Sequence, residues 1–106
     1  MSRLSAEQLS SVAVSLIEPS GTTIVLLDQI GTQNIETLTY NSNIYCLSQQ
    51  GDIVWQIQAD GGIYDRDSFV SMVRTPDGAI EARRFFGSTY SINPTTGIAE
   101  LTGWSK

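Results

Sequence analysis

Three carboxylates stand within the segment Asp60-Gly61-Gly62-Ile63-Tyr64-Asp65-Arg66-Asp67, the densest cluster of polar functional groups in the chain. Such a cluster could ligate Ca²⁺, or could divide the roles of general acid and general base. The spacing speaks against the metal, because an EF-hand loop needs oxygen donors at alternate positions and a closing Glu, whereas here Arg66 sits among the ligands. The sequence contains no histidine. That removes the commonest general base, the Ser/His and Cys/His nucleophile arrangements, and histidine metal sites. What remains for chemistry is a carboxylate-based enzyme or a sugar-binding module, built on Asp60, Asp65 and Asp67 with Tyr64 or Trp55 as the aromatic platform.

Two other readings of the segment need no catalysis. It can be a polar connector whose Asp and Gly residues make turns and stay solvated. It can also be a contact surface: Tyr64 and Arg66 are of the types enriched in interface hot spots, and loops on a rigid scaffold commonly carry binding. Tyr64, Asp65, Arg66 and Asp67 are then the candidate protein-binding residues.

The charge balance narrows the choice of partner. Eleven acidic residues against six basic ones give a net charge of −5 over 106 residues, and the one lysine is the last residue, Lys106. Nucleic acid and anionic membranes are recognised by clustered Lys and Arg, so neither is expected. Arg83-Arg84 is the only basic pair, and in a strand its members point to opposite faces, one into solvent and one to an edge or pocket. The expected partner is another protein, with no cofactor and no bound metal. An inhibitor, an immunity-type factor or an accessory subunit would fit. The N-terminal region has neither the apolar core of a signal peptide nor a membrane span, which makes a cytoplasmic location the default expectation.

The elements that must position these residues read as β-structure. Ser5-Ala6-Glu7-Gln8 fits a capping box, predicting a short N-terminal helical turn. From Val12 onward β-branched residues and leucines dominate, and Pro19-Ser20-Gly21 separates two strands as a hairpin turn would. Asp52–Gln58 alternates, with Ile53, Trp55 and Ile57 on one face. Gln49-Gln50-Gly51-Asp52, Pro76-Asp77-Gly78 and Asn93-Pro94-Thr95-Thr96-Gly97 mark further turns, and these signals together predict about nine short strands. Cys46, the only cysteine, sits between Tyr45 and Leu47 and reads as a small buried hydrophobe. Trp104 reads either as folded back onto the core or as an exposed anchor for a partner.

Residues 24–48 and 69–93 align without a gap at an offset of 45, bringing Ile24 onto Phe69, Leu27 onto Met72, Ile35 onto Ile80, Tyr40 onto Phe85, Tyr45 onto Tyr90 and Leu47 onto Ile92. After one inserted residue Gly51 falls on Gly97. A repeat of this period marks one supersecondary unit used twice. Two stretches carry it most clearly: Asn43-Ile44-Tyr45-Cys46-Leu47-Ser48-Gln49-Gln50-Gly51-Asp52-Ile53-Val54-Trp55, and Thr89-Tyr90-Ser91-Ile92-Asn93-Pro94-Thr95-Thr96-Gly97-Ile98-Ala99. Both resemble the strand–turn–strand signature of β-propeller blades of the quinoprotein (PQQ) type. The second departs from it, with Leu101 or Trp104 near the place of the tryptophan. The resemblance implies blade-like antiparallel sheets. Two copies fall short of the four or more blades that typically close a ring, so no quinone is implied.

The expected architecture is therefore one all-β domain over residues 1–106, with repeats at 24–59 and 69–104 packed as a small sandwich or distorted barrel. The face bearing Trp55 should pack on the face bearing Tyr90 and Ile92, in a core of Tyr45, Leu47, Ile53, Trp55, Ile57, Phe69, Ile80, Phe85, Tyr90 and Ile92.

Overall fold

Ser5 caps the first helix in the manner its sequence predicts. In the computed structural model, which describes residues 2–29, 36–60 and 66–104, the Ser5 hydroxyl accepts from the Gln8 amide at 3.0 Å. The Gln8 side-chain oxygen in turn accepts from the Ser5 amide at 2.8 Å. The helix they start, α1 (Ala6–Ser10), buries no residue of its own. Local hydrogen bonding, more than packing, holds it.

Eight strands follow, one fewer than the turn signals predict among the described residues. The first sheet holds β1 (Val12–Ile17), β2 (Thr23–Leu27), β3 (Ile44–Leu47) and β4 (Ile53–Gln56), with a short helix α2 (Thr37–Asn41) between β2 and β3. The second holds β5 (Phe69–Arg74), β6 (Ile80–Arg84), β7 (Ser88–Ile92) and β8 (Ala99–Trp104). Each sheet is an antiparallel meander in chain order. The all-β two-sheet sandwich is thus the fold.

The two sheets repeat one another in hydrogen-bond register. Val12 opposite Leu27 corresponds to Phe69 opposite Arg84, and both hairpins shift register at the next position, between Val12 and Val14 and between Phe69 and Ser71. The turn amides agree as well: Gly21 donates to the Glu18 carbonyl and Gly78 to that of Thr75. For the first hairpin the offset is therefore 57, as from Val12 to Phe69. The second hairpin keeps 45, with Tyr45 and Tyr90 in like positions of β3 and β7. The ungapped alignment is corrected accordingly: Ile24 and Leu27 lie in β2, whereas Phe69 and Met72 lie in β5. The first repeat starts at Val12, and the change of offset is absorbed by residues 28–43, where the second sheet has only residues 85–87. Ile35 lies outside the described residues.

The sheets stack in the same sense, so that equivalent residues face different surroundings. Ile24, Leu26, Ile44, Cys46 and Trp55 of the first sheet pack against Phe69, Ala82, Tyr90 and Ile92 of the second. The opposite face of the first sheet, with Val25, Leu27, Tyr45 and Leu47, packs against Leu4 of the N-terminal segment. Two bonds tie that segment down: the Ile53 amide donates to the Ser2 carbonyl at 2.8 Å, and Arg3 pairs with Asp52 at 3.2 Å. In the second sheet the residues matching the inter-sheet face of the first are Glu81, Arg83, Thr89, Ser91 and Glu100, exposed except for the half-buried Thr89. The sequence shows why. β2 and β3 are unbroken apolar runs buried on both faces, whereas β6 and β7 alternate, as strands with one wet face do.

Specific polar links join the sheets. Asn43, fully buried, donates to the carbonyls of Leu27 and Phe69 at 2.6 and 2.9 Å and accepts from the Phe69 amide at 2.9 Å. It bonds Phe69 as a neighbouring strand would. Trp55 donates its indole N–H to the Pro94 carbonyl at 3.0 Å, Glu18 pairs with Arg74, and Gln58 forms a parallel bridge with Ile98. Cys46 is a buried hydrophobe, as read from the sequence, and desolvation pushes its thiol above the usual pKa. Ile53 does not share the face of Trp55 and Ile57, because a register shift between Cys46 and Leu47 turns it to the Leu4 side. The core assignment of Phe85 is likewise corrected, and Trp104 takes the exposed of its two expected positions. Phe85 is 63% exposed because it lies in the β6–β7 turn, beyond the last core position of β6, and Trp104 is 56% exposed at the end of edge strand β8.

Candidate functional site

Strand alternation splits Arg83 from Arg84, and everything at this end of the second sheet follows from where Arg84 goes. Arg83 faces solvent and Arg84 is wholly buried. Its guanidinium lies 4.3 Å from the centroid of the Phe69 ring and 5.1 Å from that of Tyr90. The two rings meet edge to face at 5.4 Å. A buried guanidinium survives only if its donors are satisfied, and here they are shared among the arriving chain segments. Nη1 donates to the carbonyls of Asn41 and Asp67 at 2.7 and 2.8 Å, Nη2 to that of Asp60 at 2.6 Å, and Nε to the Tyr90 hydroxyl at 3.2 Å.

The charge of Arg84 is countered from the surface. The Asp60 carboxylate lies 3.9 Å from Nη2, with its side chain 57% exposed, and accepts from the Tyr90 hydroxyl at 2.5 Å. Desolvation, reinforced by that hydrogen bond to Asp60, raises the Tyr90 pKa above the ordinary phenol value. Arg84 therefore anchors the point where the connector leaves the first sheet and the point where it enters the second.

Asp67, expected at a solvated contact surface, is fully buried instead. Its amide donates to the Asn41 side chain at 2.8 Å, and its Oδ1 accepts from the Phe86 amide at 3.0 Å. Its Oδ2 has no hydrogen-bond partner. The physical reason for the burial is long range: Arg84 and Asn41 supply partners to its backbone, and its carboxylate closes the β6–β7 turn. Tyr64 and Asp65 lie outside the described residues. Arg66 is exposed, with its guanidinium 4.3 Å from the centroid of the Tyr40 ring.

Above the buried arginine the turn presents two aromatic rings to solvent. Phe85 and Phe86 are 63% and 42% exposed and meet edge to face with centroids 5.0 Å apart. Their backbone is fixed on both sides: the Phe85 amide donates to the Ser68 carbonyl at 2.8 Å, the Phe86 amide to Asp67, and the Gly87 amide to the Arg84 carbonyl at 3.0 Å. The sequence assigned Phe85 to the core. Its true signal was the Arg-Phe-Phe-Gly run, in which Gly87, at φ 108°, ends the strand.

Among the described residues, those proposed for carbohydrate or acid–base chemistry, Asp60, Asp67 and Trp55, do not form a shared exposed site. Trp55 is only 7% exposed and its indole N–H is committed to Pro94, so its ring offers no platform for a sugar. Asp60 reaches solvent while Asp67 is buried, which leaves no pair of exposed carboxylates from this segment among the described residues. Nor does any group of three or more potential metal ligands occur among them.

Comparison with known proteins gives a family and no named relative. A family described as a domain of unknown function (DUF7957) matches residues 7–104. No curated protein and no solved structure matches the chain.

Proposed function

From the premise that the chain belongs to the DUF7957 family, we propose that it is a non-catalytic contact protein that binds another protein through the aromatic end of its second sheet. The observation that carries this is the Phe85–Phe86 pair, exposed to water yet held through its amides by the Ser68 carbonyl and the Asp67 carboxylate. Exposing two phenylalanine rings costs solubility and contributes little to folding, whereas a pre-ordered turn lowers the entropy cost of docking them. Arg66 beside Tyr40 adds a cation at the rim, and Tyr64 and Asp65 precede it in the chain. An acidic protein of this kind suits a role as inhibitor, immunity-type factor or accessory subunit, with a basic partner attracted by its net charge of −5.

The test is affinity capture from the native host, comparing wild type with a Phe85→Ser/Phe86→Ser double variant and with Tyr64→Ala/Arg66→Ala. A partner retained by wild type and lost from the first variant, at unchanged melting temperature, supports the reading. Equal retention by all three proteins, or turnover of a substrate abolished by Asp60→Asn, rejects it.

A further inference from the structure

Strand β8 leaves its outer edge open. It is the last strand of its sheet, and residues 100–104 are all exposed, with Leu101 at 59%. The Ala99 amide points away from β7 and donates to the Gln58 carbonyl at 2.9 Å, while the Gln58 amide donates to the Gly97 carbonyl at 2.8 Å. A parallel ladder therefore begins at this edge. It stops after one bridge, because the connector turns under the sheet, where the Asp60 carbonyl meets Arg84 and its carboxylate meets Tyr90. By the two-residue alternation of a strand, the N–H and C=O of Leu101 point to the same outer side as those of Ala99. Among the described residues no strand pairs with them.

The side chains along this edge differ by face. Leu101 is the register partner of Tyr90 and shares its core side, whereas Glu100 is aligned across Ser91 with Glu81 on the outer face. β8 carries no lysine, proline or inward charge; its one guard is a register shift between Leu101 and Gly103, which leaves Ala99, Glu100 and Leu101 in regular register with β7. We infer that the edge of β8 at Leu101 takes up an extended segment of another protein in which aliphatic residues alternate with Lys or Arg. The aliphatic side chains lie beside Leu101, the cations lie over Glu100, and main-chain bonds to Leu101 supply affinity without regard to sequence. Charge selects this occupant over a second copy of the chain, since two copies at −5 each would bring Glu100 and Glu81 toward their like. The inference rests on the reading of the protein as a contact protein and names the form of its partner.

The probe is the capped peptide Lys-Val-Lys-Val-Lys-Val-Lys, compared with its Glu-Val counterpart and with a version N-methylated on alternate residues. Binding is followed by amide hydrogen exchange resolved by residue. The Lys-Val peptide should protect the Leu101 amide. Glu100→Lys should weaken binding by about tenfold or more, and the other two peptides should not protect. Protection absent at Leu101, or confined to Phe85 and Phe86, would overturn the edge site while leaving the contact function in place. Protection of Leu101 that grows with protein concentration alone would assign the edge to a second copy. A peptide that binds as inferred, beside a native partner that ignores both the Phe85/Phe86 variant and Glu100→Lys, would instead sink the reading of the aromatic surface.

Discussion

The Trp55 indole lies so close to the backbone of Gly97 that a Cβ at Gly97 would stand 2.5 Å from two of its ring carbons. Gly97 also has φ +80°, where L side chains are strained. Gly97→Ala should therefore cost about 2–4 kcal/mol, combining backbone strain with overpacking. Gly78 provides the control: its φ is +87°, but nothing lies within 4 Å of the added carbon. Gly78→Ala should cost only the strain, about 1–2 kcal/mol. Urea unfolding of the two variants measures the difference, and equal losses would mean that the Trp55 contact does not constrain Gly97.

Arg84→Met should be among the most damaging single changes outside the apolar core. It leaves the carbonyls of Asn41, Asp60 and Asp67 without their shared donor and removes the charge facing Asp60. A loss of about 3–5 kcal/mol is expected, a large part of the roughly 5–15 kcal/mol typical of a domain. Asp60→Asn, at a half-exposed carboxylate, should cost under about 1 kcal/mol. Chemical denaturation gives both values.

The Phe85→Ser/Phe86→Ser variant should keep its stability to within about 1 kcal/mol, because neither ring belongs to a buried cluster. Its apparent solubility should rise. A melting temperature lowered by more than a few degrees would show that the rings support the fold.

Tyr45 and Tyr90 should ionise late. Burial raises both phenols, opposed at Tyr45 by its hydrogen bond from Gln56 and aided at Tyr90 by that to Asp60. A folded-state pKa above the unfolded value favours the protonated form in the native protein. The stability this confers is fully present below the ordinary phenol pKa of about 10 and is lost as pH rises from there through the folded values. Absorbance titration of the phenolate should show Tyr45 and Tyr90 delayed, with unfolding setting in over that alkaline range. Titration of these two at the ordinary value would contradict it.

The second hairpin of each sheet was legible because its signals are local: Tyr45 and Tyr90, and Leu47 and Ile92, keep one spacing, and Gly51 and Gly97 depart from it by a single residue in the turn. The first hairpin was misaligned because residues 28–43 intervene in one repeat alone, and a gapless comparison slides β2 onto β5. The same slip set Phe85, which lies in the β6–β7 turn, against Tyr40 of α2. At the candidate site, alternation alone separated Arg83 from Arg84. The burial of Asp67 was not readable, because the groups that compensate it, Asn41 and Arg84, are brought to it only by the fold. Nothing in the polar run 60–67 distinguishes an Asp that caps a turn in the interior from one in water.

The same-sense stacking of the two sheets makes the molecule a directional assembly of two units whose growth is arrested differently at each end. At one end a short peptide, seated through Leu4 and held by the Arg3 and Asp52 pair, occupies the place a preceding sheet would take. At the other, Glu81, Arg83, Thr89, Ser91 and Glu100 replace the aliphatic surface that a following sheet would need. The plug is removable by truncation and the charged face by substitution, so the two stops can be lifted independently. A chain trimmed before Ser5 presents an apolar acceptor face; one with Glu81, Arg83, Thr89, Ser91 and Glu100 made aliphatic presents the complementary donor. Mixed together, two such chains have the matched surfaces of a heterologous pair, and a chain carrying both changes has the surfaces of a filament.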